Sequence, residues 1–150
     1  MKAVIWIAIA FVLTAHGQDT AAIDSFIRQQ AKKERGEEYK DARKVITGDL
    51  NRDGVPDVAV LYTIEGQNGT NNYVQYLAVF LGKKPGLDAV AHVVVGGKNY
   101  RSVELSAVRG NSIELATMSY APHDPSCCPS IKGTTRYLLA GRSLIEEKNK

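Results

Sequence analysis

Between residues 20 and 35 the apolar side chains Ile23, Phe26, Ile27 and Ala31 recur three and four positions apart. On a 3.6-residue helix that spacing makes one narrow apolar stripe. Asp19 or Thr20 supplies an N-cap and Gly36 a stop. After Gly36 the period changes to two. Val103 and Leu105 alternate with Glu104 and Ser106, and Ile113 and Leu115 flank Glu114, as in strands solvated on one face. The run Tyr76-Leu77-Ala78-Val79-Phe80-Leu81 is apolar on both faces and belongs at the centre of a sheet. Strands are predicted over 43–47, 58–65, 73–81, 88–95, 102–108, 112–120 and 134–140, with a further short one at 143–146.

The joints between these segments carry turn residues: 66–72, Lys84-Pro85-Gly86, Gly96-Gly97-Lys98-Asn99, Gly110-Asn111 and Gly141-Arg142. Joints this short favour antiparallel neighbours, because parallel strands need long crossovers. The expected fold is α+β: an N-terminal amphipathic helix packed on an antiparallel meander of about six to eight strands. A closed or nearly closed barrel is the alternative.

Residues 1–17 have the form of a secretory signal. Lys2 is the positive start, residues 3–13 the apolar core, and Ala15-His16-Gly17 a small-x-small cleavage site before Gln18. The apolar run is too short to span a bilayer as a resident helix. The expectation is an exported protein, secreted or periplasmic, with one α+β domain over residues 18–150 and no stable membrane span once the signal is removed. The formal charge is +3, and loss of Lys2 leaves +2. Basic residues are scattered and the cluster from Lys32 to Glu38 mixes both signs. No basic stripe with interleaved aromatics is present, so nucleic acid is not an expected partner.

The most specific chemistry lies at residues 49–57, Asp-Leu-Asn-Arg-Asp-Gly-Val-Pro-Asp. Asp49, Asn51, Asp53 and Asp57 stand at positions one, three, five and nine. Val55 stands at seven, where a backbone carbonyl serves, and Gly54 at six, where the chain turns sharply. Alternating oxygens around a glycine suit calcium, a hard cation that takes six to eight oxygen ligands. Position twelve is Val60 where a helix-loop-helix calcium site has Glu, and strand-forming residues flank the loop on both sides. The stretch Thr47-Gly48-Asp49-Leu50-Asn51-Arg52-Asp53-Gly54-Val55-Pro56-Asp57-Val58-Ala59-Val60 resembles one FG-GAP repeat, the calcium-loop repeat of integrin-type propellers and related bacterial secreted proteins. The resemblance implies a calcium loop. It covers about a tenth of the chain, and a propeller needs several copies where one is found.

The only cysteines, Cys127 and Cys128, are adjacent within Pro125-Ser126-Cys127-Cys128-Pro129-Ser130. Three readings stand: a vicinal disulfide shaping a proline-bounded surface loop, a soft metal site with His123 and Asp124, or two free thiols. The Cys-Cys-Pro-Ser segment resembles one found in small uncharacterised bacterial exported proteins and lipoproteins. His92 lies in a Val/Ala-rich strand and reads as a satisfied core or edge histidine. The tyrosines Tyr62, Tyr73, Tyr76, Tyr100, Tyr120 and Tyr137 read as core or sheet-face residues. Glu104 and Glu114 could face each other across a hairpin, as solubilising groups. Asn68-Gly69-Thr70 matches the N-glycosylation pattern and reads as a polar loop tip. No serine-hydrolase elbow, phosphate loop, dinucleotide fingerprint or His-Glu-x-x-His motif occurs. The functional expectation is an exported calcium-binding module with a binding or accessory role toward a protein or envelope ligand. The competing class is a secreted enzyme, either a metal-assisted hydrolase or a thiol–disulfide redox protein.

Overall fold

The structure is a computed structural model that describes residues 15–147, with side chains described from Asp19 onward. The predicted leader lies outside the described residues as far as Thr14. Helix α1 (Ala15–Glu34) is followed by strands β1 (Glu37–Glu38), β2 (Lys44–Gly48), β3 (Asp57–Glu65), β4 (Tyr73–Gly82), β5 (Leu87–Gly97), β6 (Arg101–Arg109), β7 (Ser112–Ser119), β8 (Ile131–Ala140) and β9 (Ser143–Glu147). Among the described residues these nine strands form one antiparallel sheet in the order β1-β3-β4-β5-β6-β7-β8-β9, with β2 also paired to β3. From β3 to β9 the meander is therefore sequential, each strand pairing with the next.

Within the described residues the helix is already formed at Ala15, so Asp19 and Thr20 lie in its body and not at its start. Ala15, Gln18 and the alanines after them are good helix formers, and one interior glycine costs only about 1 kcal/mol. At the other end, Gly36 follows the stop and does not make it. Arg35 takes the left-handed conformation (φ 54°) and the Gly36 N–H reaches back to the Ala31 carbonyl at 3.0 Å. Gly36 is needed for another reason. A Cβ there would stand 2.6 Å from the Glu65 carbonyl oxygen and 2.8 Å from Ile64 Cγ2. That close approach lets Glu37 and Glu38 pair with Glu65 and Ile64 as β1, a strand too short to show in the hydrophobic pattern.

Two apolar layers hold the fold. In the first, Ile23, Ile27 and Ala31 of α1 meet Val58, Val60, Tyr62 and Ile64 of β3 and Tyr76, Ala78 and Phe80 of β4. Full burial of Ile27 alone contributes about 2 kcal/mol. The second layer lies on the opposite face of β3 and β4, where Ala59, Leu61, Leu77 and Val79 meet Val103, Ile113, Leu115, Tyr137, Leu139 and Leu144 from β6 to β9. Central strands apolar on both faces follow from burial on both sides.

The sheet folds over at a corner instead of closing into a barrel. β5 and β6 share a single residue pair, Gly97 with Arg101, while β2 and β9 remain at outer edges. Register shifts in the β4–β5 ladder leave Val90 and Val95 as extra residues that turn into the second core. At the corner, side chains replace ladder bonds. Gln75 donates from Nε2 to the Val103 carbonyl at 3.1 Å and accepts from the Val103 N–H at 2.9 Å. Arg101 donates from Nε to the Val95 carbonyl at 2.7 Å and from Nη2 to the Tyr137 hydroxyl at 3.0 Å, and its Nη1 pairs with Glu146 at 2.8 Å.

Glu104 and Glu114 do not meet. The register places Glu104 opposite Ala116, and a bulge after Leu105 puts Glu114 opposite Ala107, where it pairs with Arg109 at 3.5 Å. Tyr62, Tyr76 and Tyr137 are buried, as expected of core tyrosines, whereas Tyr100 is exposed. His92 is satisfied where a strand reading places it. Its Nε2 lies 2.6 Å from the Tyr62 hydroxyl and its ring stacks on Tyr76 at 4.8 Å.

Candidate functional site

The loop between β2 and β3 carries every residue of the predicted calcium set. Gly54 adopts φ 80°, the left-handed conformation its position requires, and Arg52 is also left-handed at 63°. The tip is a set of side chains folded back on their own backbone. Asp49 accepts from the N–H groups of Asp53 at 3.1 Å and Gly54 at 3.0 Å. Asn51 Oδ1 accepts from the Asp53 N–H at 3.0 Å, and Asp53 Oδ1 from the Val55 N–H at 2.7 Å. Asn51 Nδ2 donates to Asp53 Oδ2 at 2.7 Å. Asp49, Asn51 and Asp53 are thus gathered at one exposed tip.

Asp57 stands apart from them. It is fully buried, and its carboxylate accepts three backbone N–H bonds: Leu50 at 2.7 Å, Asn51 at 3.2 Å and Gly82 at 2.8 Å. The first two close the base of the loop, and the third fastens it to the end of β4. Gly82 is obligatory in this seam, since a Cβ would collide with the Pro56 carbonyl oxygen and with Val55 Cγ1. Among the described residues no three His, Cys, Asp or Glu side chains converge tightly enough to form a metal cage by themselves. The reason is the inward turn of Asp57. The oxygens left at the tip come from two carboxylates, one amide and main-chain carbonyls. No ion pair involves Asp49 or Asp53 among the described residues.

A cavity of about 460 Å³ adjoins the loop, lined by Leu50, Asn51, Arg52, Asn111, Leu139 and Gly141. It lies between the ion-loop candidate and the turns that join β6 to β7 and β8 to β9. The Leu139 N–H donates to the Asn111 carbonyl at 2.8 Å, which ties those two turns together. The Arg52 guanidinium passes over Gly110, where an added Cβ would lie 3.6 Å from Nη2. Asn111 and Gly141 were legible only as turn residues. Their meeting with Arg52 depends on the folding-over of the sheet.

The second site is the loop between β7 and β8. Cys127 and Cys128 are joined in a vicinal disulfide and both are exposed. Asp124 organises this loop, accepting from the Ala121 N–H at 2.7 Å, the Ser130 N–H at 2.9 Å and the Ser130 hydroxyl. The bond from Ala121, with those from Ser130, holds its carboxyl below the usual carboxylate range. The Tyr120 hydroxyl donates to the Ser126 carbonyl at 2.7 Å.

The cysteine loop leaves one end of β7 and β8, and the acidic loop of β2–β3 lies beside the turns at their other end. The eight residues of β7 separate them by about 25 Å, so the cysteine loop and the acidic loop do not build one surface. No family model, curated protein or solved structure matches the chain.

Proposed function

We propose that this protein is an exported, non-catalytic accessory module that binds calcium in its β2–β3 loop and a partner in the adjoining cavity. The observation that carries this reading is the sharing of residues between the two. Asn51 belongs to the oxygen-rich tip, Arg52 follows it, and both line the cavity. An ion held by Asp49, Asn51, Asp53 and the Val55 carbonyl would neutralise the tip and fix that wall. Asp57, the fifth residue of the set, supports the site from below by holding the loop on β4. The donor chemistry fits a hard divalent cation: every candidate ligand is oxygen, and the turn at Gly54 has the required hand.

The cavity lining offers an amide from Asn51, an amide from Asn111 and the Arg52 guanidinium beside the apolar Leu50 and Leu139. That set suits carbonyl or carboxylate oxygens of an envelope ligand or protein segment. It contains no carboxylate, imidazole or thiol for proton transfer or nucleophilic attack. The leader-like residues 1–17 and the single FG-GAP-like repeat point to an exported setting, where weak calcium sites of roughly 10⁻⁴–10⁻³ M are serviceable.

Isothermal titration with calcium and magnesium, read beside amide chemical shifts, tests the proposal. The expected result is one calcium per chain, with the largest shifts at residues 49–55 and smaller ones at Asn111 and Gly141. Saturable calcium binding that leaves the cavity residues unmoved would separate the ion from the partner site and defeat the reading.

A further inference from the structure

The Cys127–Cys128 bridge needs a purpose other than stability. A disulfide stabilises chiefly by closing a loop in the unfolded chain, and this one closes none beyond the two residues themselves. Nor is it needed to shape its own loop. Asp124 already clamps Ala121 to Ser130, Tyr120 holds the Ser126 carbonyl, and the Cys128 N–H donates to the Pro125 carbonyl at 2.9 Å. Pro122, Pro125 and Pro129 restrict the backbone further. The loop therefore has a frame that survives without the sulfur–sulfur bond.

Two other facts concern reactivity. Both cysteines are exposed, so an incoming thiolate can reach either sulfur. Their Cα atoms stand 3.8 Å apart, below the 4.4–6.8 Å that relaxed disulfides adopt. Exposed and strained bridges are the labile ones, more easily reduced than buried structural bridges. From this combination we infer that the Cys127–Cys128 pair is a surface thiol–disulfide exchange site, whose partner is an exported dithiol oxidoreductase.

The step balances within that pair of reactants. A thiolate of the partner attacks Sγ of one cysteine, forming a mixed disulfide as the Cys127–Cys128 bond breaks. The departing sulfur leaves as a thiolate and takes a proton from solvent. The partner's second thiol gives its proton to solvent and attacks the mixed disulfide, releasing the second cysteine, which is protonated in turn. The chain gains two electrons and two protons, and the partner dithiol becomes a disulfide. In the reverse direction the two thiols remain neighbours on the clamped loop, so the released thiol is always in place to resolve a mixed disulfide. The site lies at the opposite end of β7 from the acidic loop and is independent of the calcium proposal.

The test uses the protein as purified under native conditions, equilibrated in millimolar reduced glutathione, acid-quenched, alkylated and weighed intact. The expected result is two alkyl groups on most molecules, an unchanged circular dichroism spectrum and urea midpoint, and full return of the bridge in oxidised glutathione. A thioredoxin whose resolving cysteine is replaced by serine should be trapped on the chain as a mixed disulfide. The inference is overturned if the bridge resists reduction until denaturant is added, if its reduction unfolds the domain, or if the trap yields no adduct. Failure here leaves calcium binding intact, and the converse also holds.

Discussion

Replacing Asp57 with alanine should be among the most damaging single changes in this chain, although its sequence position marks it as one ligand among five. Its carboxylate receives the N–H groups of Leu50, Asn51 and Gly82, at 2.7, 3.2 and 2.8 Å. Leu50 is 1% exposed and Gly82 is partly buried, so water replaces those two acceptors poorly, whereas the exposed Asn51 can be rehydrated. A hydrogen bond to a charged group contributes about 1.5–3 kcal/mol, and an orphaned buried donor costs a similar amount. Two such losses come to about 4 kcal/mol, against a typical total of about 5–15 kcal/mol. Asp57→Asn keeps one acceptor oxygen but sets an amide N–H₂ where the second oxygen stood, so it should fall between, near 2–3 kcal/mol. Urea unfolding in excess chelator measures both values with calcium excluded. A loss under about 1 kcal/mol for Asp57→Ala, with an unchanged denaturant slope, refutes the anchoring role.

Two further outcomes follow from the core networks. Burial holds the His92 imidazole below its ordinary value, with the Glu34 carboxylate opposing and Lys33 reinforcing that shift. His92 therefore contributes stability that is complete above the unfolded pKa of about 6.5 and is lost as pH falls through the lower folded value. Unfolding free energies at pH 7.5 and 5.5 should differ more in the native protein than in His92→Gln; equal differences would remove His92 from the account. Arg101→Met should cost about 3 kcal/mol by removing the cation beside Glu146 and leaving the Val95 carbonyl and Tyr137 hydroxyl without their donor, while Arg101→Met with Glu146→Leu should recover only the part due to the unpaired carboxylate. A double-mutant cycle in urea checks the pair, and strictly additive losses would contradict the coupling.

Much of the meander was legible because its strands keep a period of two between glycine, proline and asparagine turns. All eight strand predictions needed adjustment of only one to three residues at their ends. Non-local geometry was not legible. The corner at Gly97 and Arg101 depends on Gln75 reaching Val103 across 28 positions, and no local pattern encodes that bond. β1 exists only because Gly36 allows it to approach Glu65. In the acidic loop, the sequence pointed to a sharp turn at Gly54, and that residue is left-handed. The role of Asp57 was hidden because its partners include Gly82, 25 positions away. The cysteine pair was legible as to position, while the clamp formed by Asp124 and Ser130 was not.

Calcium occupancy of the β2–β3 loop is tested most directly by thermal unfolding of the native protein and of Asp53→Ala, each with chelator and with calcium. Binding to the folded state alone adds about 1.4 kcal/mol at a tenfold excess over the dissociation constant, near 4 °C for a chain of this size. The account predicts that rise in the native protein and none in Asp53→Ala. An unmoved midpoint at millimolar calcium, or an equal rise in both proteins, contradicts it.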